Sequence, residues 1–126
     1  MTQEVEKGTR ALQAGEALLA IGLFDDAVTR FYYAAFHFAS AALLTEGVEA
    51  TSHHGLLTLF GEHLVRTGKL SAARAKELKQ LQAFRQAADY DRAFAFTADG
   101  AEEEAVVARR CVAELRVFLV AKGYQG

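Results

Sequence analysis

Residues 25–44, DDAVTRFYYAAFHFASAALL, form the stretch of sequence that decides the fold. From Phe31 to Leu44 apolar side chains occupy nearly every face of a helix, so a single contact face cannot bury them all. Small alanines let neighbouring helices approach closely, while the aromatic rings fill the spaces that remain. We therefore expect either a central helix or one that also forms a subunit interface.

The composition of the whole chain also favours an all-α fold. Its 126 residues include 25 Ala and 15 Leu but a single Ile and no Pro, so strong helix formers dominate. A chain of this length is predicted to form one domain, residues 1–126, with a core that needs no disulfide or metal.

Glycines and capping residues divide the chain into five predicted helices. The predicted helices cover about residues 3–21, 25–46, 52–67, 71–91 and 99–123. Asp25, Ser71 and Asp99 are the predicted N-caps, and Glu102 completes a capping box with Asp99. The short connections favour an up-and-down antiparallel bundle of four to five helices. A twofold homodimer is the commonest way to cover an apolar helix face that remains, so we predict a homodimer.

The charge and the motif content exclude several classes of protein. A net charge of −2 argues against a protein that binds duplex nucleic acid, and residues 31–44 are too short and too polar to span a membrane. The first ten residues lack the pattern of a signal peptide, so we expect a cytoplasmic protein. The sequence has no Gly-rich phosphate loop, HExxH pair, cysteine cluster or nucleophile elbow, and we predict no cofactor and no metal.

The first candidate site residues lie on the second helix. Arg30, Tyr33 and His37 are three and seven positions apart, which places them on one stripe of the helix. A cation, a phenol and an imidazole on one face can bind a phosphate and move a proton. The alternative is that Arg30 pairs with an acid and His37 forms a hydrogen bond inside the bundle.

Further candidates lie on the fourth helix and in the basic middle of the chain. Arg85 and Asp89 are four residues apart and can form an ion pair, which either is structural or holds a phosphate beside Tyr90. Residues 52–88 carry 6 basic and 2 acidic side chains, a net charge of +4. An anionic ligand is therefore expected to meet this segment, which also contains His54. A solvated helix face with scattered Lys and Arg is the alternative.

Three stretches together resemble the HEPN domain family, specifically its small single-domain prokaryotic members. They are DDAVTRFYYAAFHFASAALL, HHGLLTLFGEHLVRTGKL and LKQLQAFRQAADYDR, and the resemblance covers about residues 10–122. It implies a helical bundle that dimerises, a minimal nucleotidyltransferase as partner in a toxin–antitoxin pair, and nucleotide binding in some members. It also implies that active toxins are metal-independent ribonucleases with Arg, four to six residues, then His on a late helix.

The chain departs from this late-helix pattern. Arg85 matches the arginine, but Tyr90 stands where the histidine is expected. Arg30 and His37 have the spacing, yet they lie on the second helix. If the protein cleaves RNA, Arg85 and Arg30 would hold the phosphate, and His37 or His54 would take the proton.

Three functions remain open from the sequence. The leading one is a module that binds a nucleotide or single-stranded RNA and works with a nucleotidyltransferase-type protein. The second is a metal-independent endoribonuclease toxin, and the third is a structural dimeric scaffold without catalysis.

Overall fold

A computed structural model describes residues 1–90 and 95–124 and folds them into α-helices without strands. The five helices are α1 (Thr2–Ala20), α2 (Phe24–Leu44), α3 (His53–Phe60), α4 (Ala72–Tyr90) and α5 (Ala98–Ala121). The prediction of an all-α fold is confirmed. In the described ranges none of these helices is long and apolar enough to cross a membrane.

Glycines end the helices at the predicted places. Four glycines have a positive φ angle, which a side chain would disfavour: Gly22, Gly47, Gly68 and Gly123. Ser71 also acts as predicted, since its hydroxyl accepts a hydrogen bond from the backbone N–H of Ala73 at 3.1 Å. The predicted end of the fourth helix at Asp91, and the start of the looser segment that follows, lie outside the described residues.

The predicted N-cap of α2 is wrong. Leu23 occupies that position, and Asp25 lies in the first turn of the helix, where its charge still favours the positive helix end. Oδ1 of Asp25 instead accepts a hydrogen bond from the backbone N–H of Phe96 at 2.8 Å. The carboxylate therefore ties the start of α2 to the segment before α5.

The predicted N-cap of α5 is also wrong. Thr97 caps this helix, and its hydroxyl accepts a hydrogen bond from the backbone N–H of Gly100 at 3.0 Å. Asp99 lies in the first turn, and Glu102 does not complete a capping box with it. The carboxylate of Glu102 instead accepts a hydrogen bond at 2.9 Å from Arg109, which lies about two turns further along the helix.

The third predicted helix is α-helical in its first part and π-helical in its second. Ser52 caps α3 by accepting a hydrogen bond from the backbone N–H of Gly55 at 2.9 Å. A π-helical turn then covers Gly61–Val65, closed by the hydrogen bond from Arg66 N to Gly61 O at 2.9 Å. The single predicted helix over 52–67 is therefore a short α-helix followed by a wider turn.

Helix α2 is the centre of the protein. It contacts α1, α3, α4 and α5, and eleven of its residues are buried. Phe31, Phe38 and Leu43 are completely buried within this one chain. The expected central helix is therefore confirmed, and most of its apolar surface is covered without a second subunit.

Two glycines set the distance between α1 and α2. A Cβ at Gly8 would lie 2.7 Å from the ring of Phe38, and a Cβ at Gly15 would lie 2.7 Å from the ring of Phe31. The two glycines are seven residues apart on α1, and the two phenylalanines are seven residues apart on α2, about two helical turns in each case. The first glycine meets the second phenylalanine, and the second glycine meets the first. The two helices are therefore antiparallel, with each ring packed against bare backbone.

Polar contacts show the relative direction of the other two long helices, α4 and α5. Gln80 donates to Glu104 at 2.9 Å and Arg110 donates to Glu77 at 2.6 Å, so α4 and α5 are antiparallel. Both carboxylates are buried, and burial raises the pKa of Glu104 above its usual value although the hydrogen bond from Gln80 opposes this shift.

The relative direction of α2 and α5 completes the topology. Asp25 meets Phe96, and further along both helices the guanidinium of Arg116 lies 5.0 Å from the centre of the Phe38 ring. These helices are therefore parallel, and α1, α2, α4 and α5 alternate in direction as an up-and-down bundle with α3 beside it. Cys111 lies in the core of α5, completely buried, and burial raises the pKa of its thiol to about 12.

Substitution of Gly15 by alanine should destabilise the protein. Overpacking against the buried Phe31 ring costs about 1–3 kcal/mol, whereas the better helix propensity of alanine contributes at most about 1 kcal/mol. We expect a net loss of about 1 kcal/mol in the free energy of unfolding, measured by urea denaturation.

Gly61→Ala is the matched control. Gly61 has a helical φ of −61°, and an added Cβ would meet no atom within 4 Å. We expect this variant to gain about 0.4–1 kcal/mol. A Gly15→Ala protein as stable as the wild type would contradict the proposed contact.

Candidate functional site

Arg85 on α4 points its guanidinium at two tyrosines of α2. Its Cζ lies 5.4 Å from the centre of the Tyr32 ring and 5.7 Å from that of the Tyr33 ring. One NH₂ group also approaches the Tyr33 hydroxyl at 3.5 Å, at the long limit of a hydrogen bond. The side chain of Arg85 is 24% exposed, so the aromatic platform fixes the guanidinium while one edge stays accessible.

Asp89 is the counter-ion of Arg85 in the described residues. Its Oδ2 lies 3.2 Å from Nε of Arg85, one helical turn away, as the sequence spacing allows. The Nε atom is buried, but its N–H makes no well-aligned hydrogen bond in the described part of the chain. Asp89 is 43% exposed, so water screens this ion pair. The pair therefore leaves Arg85 incompletely satisfied.

His53, the first residue of α3, joins the same cluster. Its Nδ1 forms a short hydrogen bond with the hydroxyl of Tyr32, and its ring stacks on Phe36 with centroids 4.1 Å apart. Burial, together with the positive charge of Arg85 and the nearby His37, lowers the pKa of His53 below its usual value. The imidazole is therefore neutral near pH 7.

The hydrogen bond between Tyr32 and Nδ1 of His53 is compatible with two tautomers of the imidazole. Burial raises the pKa of Tyr32 to about 12, so the phenol keeps its proton and either donates to Nδ1 or accepts from Nδ1–H. When the phenol donates, the neutral imidazole carries its own proton on Nε2 and can donate a hydrogen bond to an anion. In the other tautomer Nε2 has a lone pair that can take a proton.

His37 has the opposite arrangement. Its Nδ1 lies 2.7 Å from Oε2 of Glu4 on α1, and because a carboxylate only accepts, Nδ1 must donate. With Nδ1 as the donor, a lone pair on Nε2 is what would let this ring take a proton. A histidine oriented by a carboxylate in this way is a candidate general base. The side chains of His37 and Glu4 are 25% and 29% exposed.

The predicted stripe of the second helix lines a groove. Arg30, Tyr33 and His37 lie along an open groove of about 480 Å³ between α1 and α2. Tyr33 belongs to both this groove and the Arg85 cluster, because its hydroxyl faces Arg85. The structure therefore joins two sets of candidate residues from distant parts of the chain, with Tyr33 and Arg85 52 residues apart.

Two other predicted site residues lie at the surface. His54 is exposed and forms no hydrogen bond or ion pair with another described residue. Tyr90, at the end of α4, is 85% exposed. Neither side chain contacts the guanidinium of Arg85, whereas Asp89 does.

The sequence analysis missed His53, although a signal for it exists. His53, Leu56 and Phe60 are spaced by three and seven residues, so they share one face of α3. Leu56 and Phe60 are buried, and this face turns His53, not His54, toward Tyr32. Glu4 was missed because its partner His37 is 33 residues away and no local pattern links them.

Metal ligands do not gather in this region. In residues 1–90 and 95–124, no three His, Cys, Asp or Glu side chains come together in a group that could hold a metal ion. The groups that do converge are a guanidinium, the hydroxyl of Tyr33 that accepts from it, and the imidazole of His53 that is hydrogen-bonded to Tyr32.

The family follows from comparison with known proteins. The family model described as the HEPN domain matches residues 2–122. The chain belongs to the HEPN domain family. The resemblance stated from its three sequence stretches is confirmed, and the match to this HEPN chain covers all five helices.

Relatives of this HEPN chain include proteins named as candidate toxins. One from Methanocaldococcus jannaschii is 33% identical over 87 residues, which cover 69% of this chain and 59% of the relative. Another from the same organism is 34% identical over 86 residues, 68% of this chain and 64% of the relative. A UPF0332 protein of Gloeobacter violaceus is 36% identical over 86 residues, 68% of each chain. The matched stretch thus covers about three-fifths to two-thirds of these relatives.

Nuclear magnetic resonance can test the electrostatic coupling in the cluster. The His53 ring should titrate with a pKa below 6.5, and Arg85→Met should raise that pKa because it removes a positive charge near the imidazole. The folded-state pKa lies below the unfolded value, so protonation of His53 disfavours the folded state. The stability that the protein has with a neutral His53 is fully present above about pH 6.5, and part of it is lost as the pH falls through the lowered pKa of His53.

Lys79→Met is the matched control for this titration. Lys79 lies on the same helix as Arg85, is exposed, and forms no ion pair with a described residue. We expect its loss to leave the His53 titration unchanged. An unchanged His53 midpoint in Arg85→Met would contradict the arrangement described here.

Proposed function

We propose that this HEPN domain is a toxin-like module that binds the phosphate groups of a nucleotide or of RNA at Arg85. The observation that carries the proposal is the incompletely satisfied guanidinium, held over two tyrosine rings and facing one screened carboxylate. A planar guanidinium can contact two oxygens of a phosphate at once. The relatives named as candidate toxins support the coarser statement.

Neighbouring donors converge on the same anion. The Tyr33 hydroxyl lies 3.5 Å from Arg85, and His53, hydrogen-bonded to Tyr32 through Nδ1, can donate from Nε2 in one of its tautomers. Stacking on Phe36 holds this imidazole in place before a ligand arrives. Donors that are fixed in advance bind a phosphate with less loss of side-chain entropy.

The absence of a late-helix histidine favours binding over cleavage. Resemblance to the ribonuclease members implies a histidine about five residues after Arg85, where this chain has the exposed Tyr90. His53 lies near Arg85, and in the tautomer in which Tyr32 donates to Nδ1 its proton is on Nε2. In that tautomer the Arg85 cluster supplies donors for an anion and no proton acceptor.

A metal-independent endoribonuclease is the second candidate function. The observation that favours it is the Glu4–His37 pair at 2.7 Å, in which Nε2 of His37 retains a lone pair. Such a group can take the proton of an RNA 2′-hydroxyl. Arg30, on the same groove as His37, would then neutralise the scissile phosphate.

Partners belong to the same proposal. We propose a cytoplasmic homodimer that works with a nucleotidyltransferase-type protein, as the resemblance implies. Exposed valines on α5 give such an assembly an apolar surface: Val106, Val117 and Val120 are 48%, 66% and 63% exposed.

Opposite substitutions of one ion pair can test RNA binding. Arg85→Ala should weaken binding of a labelled single-stranded RNA about tenfold or more, because it removes charge-assisted hydrogen bonds. Asp89→Asn should strengthen binding, because it removes the carboxylate that competes with phosphate for the same guanidinium. Fluorescence anisotropy at fixed salt measures both.

Three controls accompany this measurement. Lys79→Ala removes an exposed, unpaired charge on the same helix and should leave the affinity almost unchanged. Arg85→Lys keeps the charge but loses the planar fork, so partial binding is expected. Melting curves exclude unfolding. Equal affinities of wild type, Arg85→Ala and Asp89→Asn would refute the Arg85 site.

Cleavage in excess EDTA separates the two candidate functions. If the protein is a ribonuclease, His37→Gln should abolish cleavage of an RNA pool, and Glu4→Gln should reduce it because the imidazole loses its orienting carboxylate. If it is a binding module, none of these proteins cleaves, while a known ribonuclease does so in the same buffer. Cleavage by His37→Gln at the wild-type rate would reject His37 as the base.

A further inference from the structure

Three basic residues that the sequence places in an acidic segment meet in the groove between α1 and α2. Lys7 and Arg10 come from α1, and Arg30 comes from α2. Residues 1–51 carry 3 basic and 7 acidic side chains, so their net charge of −4 hides this cluster. Folding therefore gathers all the lysine and arginine side chains of the segment along one groove.

These three charges are not neutralised within the described part of the chain. No ion pair links Lys7, Arg10 or Arg30 to a described acidic residue. By contrast, several other arginines are paired, as in Arg74–Glu77, Arg109–Glu16 and Arg110–Glu77. Like charges in one groove repel each other unless an anion lies between them. The groove is therefore prepared for an anionic ligand.

The shape of the groove suits an extended anion. Its floor includes the small residues Ala11 and Ala14, which leave room between the longer basic side chains. Along α2 the groove runs from Arg30 to His37, a rise of about 10 Å, which exceeds the span of a single phosphate. Between these two residues it is bordered by Tyr33, whose hydroxyl faces Arg85.

We infer that this groove binds the phosphodiester backbone of a single-stranded RNA whose neighbouring phosphate lies at Arg85. The inference rests on the proposed function and names its ligand as a strand, not a free nucleotide. A strand can place successive phosphodiesters at Arg85 and along the groove, whereas a mononucleotide has no successive phosphodiesters. The half-buried ring of Tyr33 between the two regions gives a base a surface to stack on, which an acidic polypeptide would not use.

The salt dependence of RNA binding sets the size of the effect that we expect from the groove. Each phosphate contact to a single strand contributes about −0.7 to the slope of log K against log salt. Three contacts contribute about −2, so they account for a roughly 20-fold loss of affinity between 50 and 200 mM salt. Removal of the three charges should therefore flatten the slope by about 2.

The test compares two triple variants with the same change in charge. The groove variant is Lys7→Ala/Arg10→Ala/Arg30→Ala. The control variant is Arg66→Ala/Lys76→Ala/Lys79→Ala, which removes three exposed, unpaired charges from the basic middle of the chain. Binding of a labelled 12-nucleotide RNA and of ATP is measured by anisotropy and competition at several salt concentrations. Melting curves show that each variant folds.

We expect the groove variant to lose RNA affinity and to show the flatter salt slope, while its affinity for ATP and the RNA binding of the control variant stay near wild type. Equal losses in both triple variants would mean a general charge effect and would overturn the inference. An equal loss for ATP and RNA would mean a nucleotide pocket and would also overturn it. Displacement of RNA by poly-glutamate as readily as by unlabelled RNA would point to an acidic protein instead, with the same consequence.

Failure of the inference is distinguishable from failure of the proposed function. If the groove variant binds RNA like the wild type while Arg85→Ala binds weakly, the groove is rejected and the Arg85 site stands. If the wild-type protein binds neither RNA nor ATP, the proposed function fails, and the groove assignment fails with it.

Discussion

The close contact of α1 with α2 is the constraint on which the rest of the structure depends. Because Gly8 and Gly15 have no side chain, the rings of Phe38 and Phe31 pack directly against the backbone of α1. This short distance brings residues on either side of the glycines next to α2. Glu4 reaches His37, and Lys7 and Arg10 face Arg30 across a shallow groove. A packing requirement of the core thereby positions every polar group of the groove.

Tyr33 links the two halves of the candidate site. On one side its ring borders the groove, and on the other its hydroxyl and its π-face hold Arg85. The aromatic residues of α2 thus have two physical roles, since the inward rings fill the core and the half-buried ones orient charged groups. Water is partly excluded around the Arg85 guanidinium, which strengthens its attraction to an anion. The helix that builds the core, α2, therefore also sets the environment of the Arg85 guanidinium.

The sequence predicts the architecture better than it predicts the site. Helix number, the central position of α2 and the four terminating glycines follow from composition, periodicity and the positive φ that glycine allows. The caps at Asp25 and Asp99 were wrong because a neighbouring residue can start each helix, and only tertiary contacts decide between them. His53 was missed although its spacing with the buried Leu56 and Phe60 is a local signal, whereas Glu4, Lys7 and Arg10 were missed since their role depends on residues far away in the chain. Short-range patterns do not contain that information.

The burial of Cys111 has a consequence for the chemistry of the whole chain. It is the single cysteine of the sequence, it is completely buried, and its thiol keeps its proton because burial raises its pKa to about 12. Oxidants and alkylating reagents attack the exposed thiolate, so the Cys111 thiol of the folded protein is protected from both. Modification requires the core around α5 to open. The sulfur atom is therefore an internal reporter of unfolding, and a ligand that binds only the folded state should slow its modification.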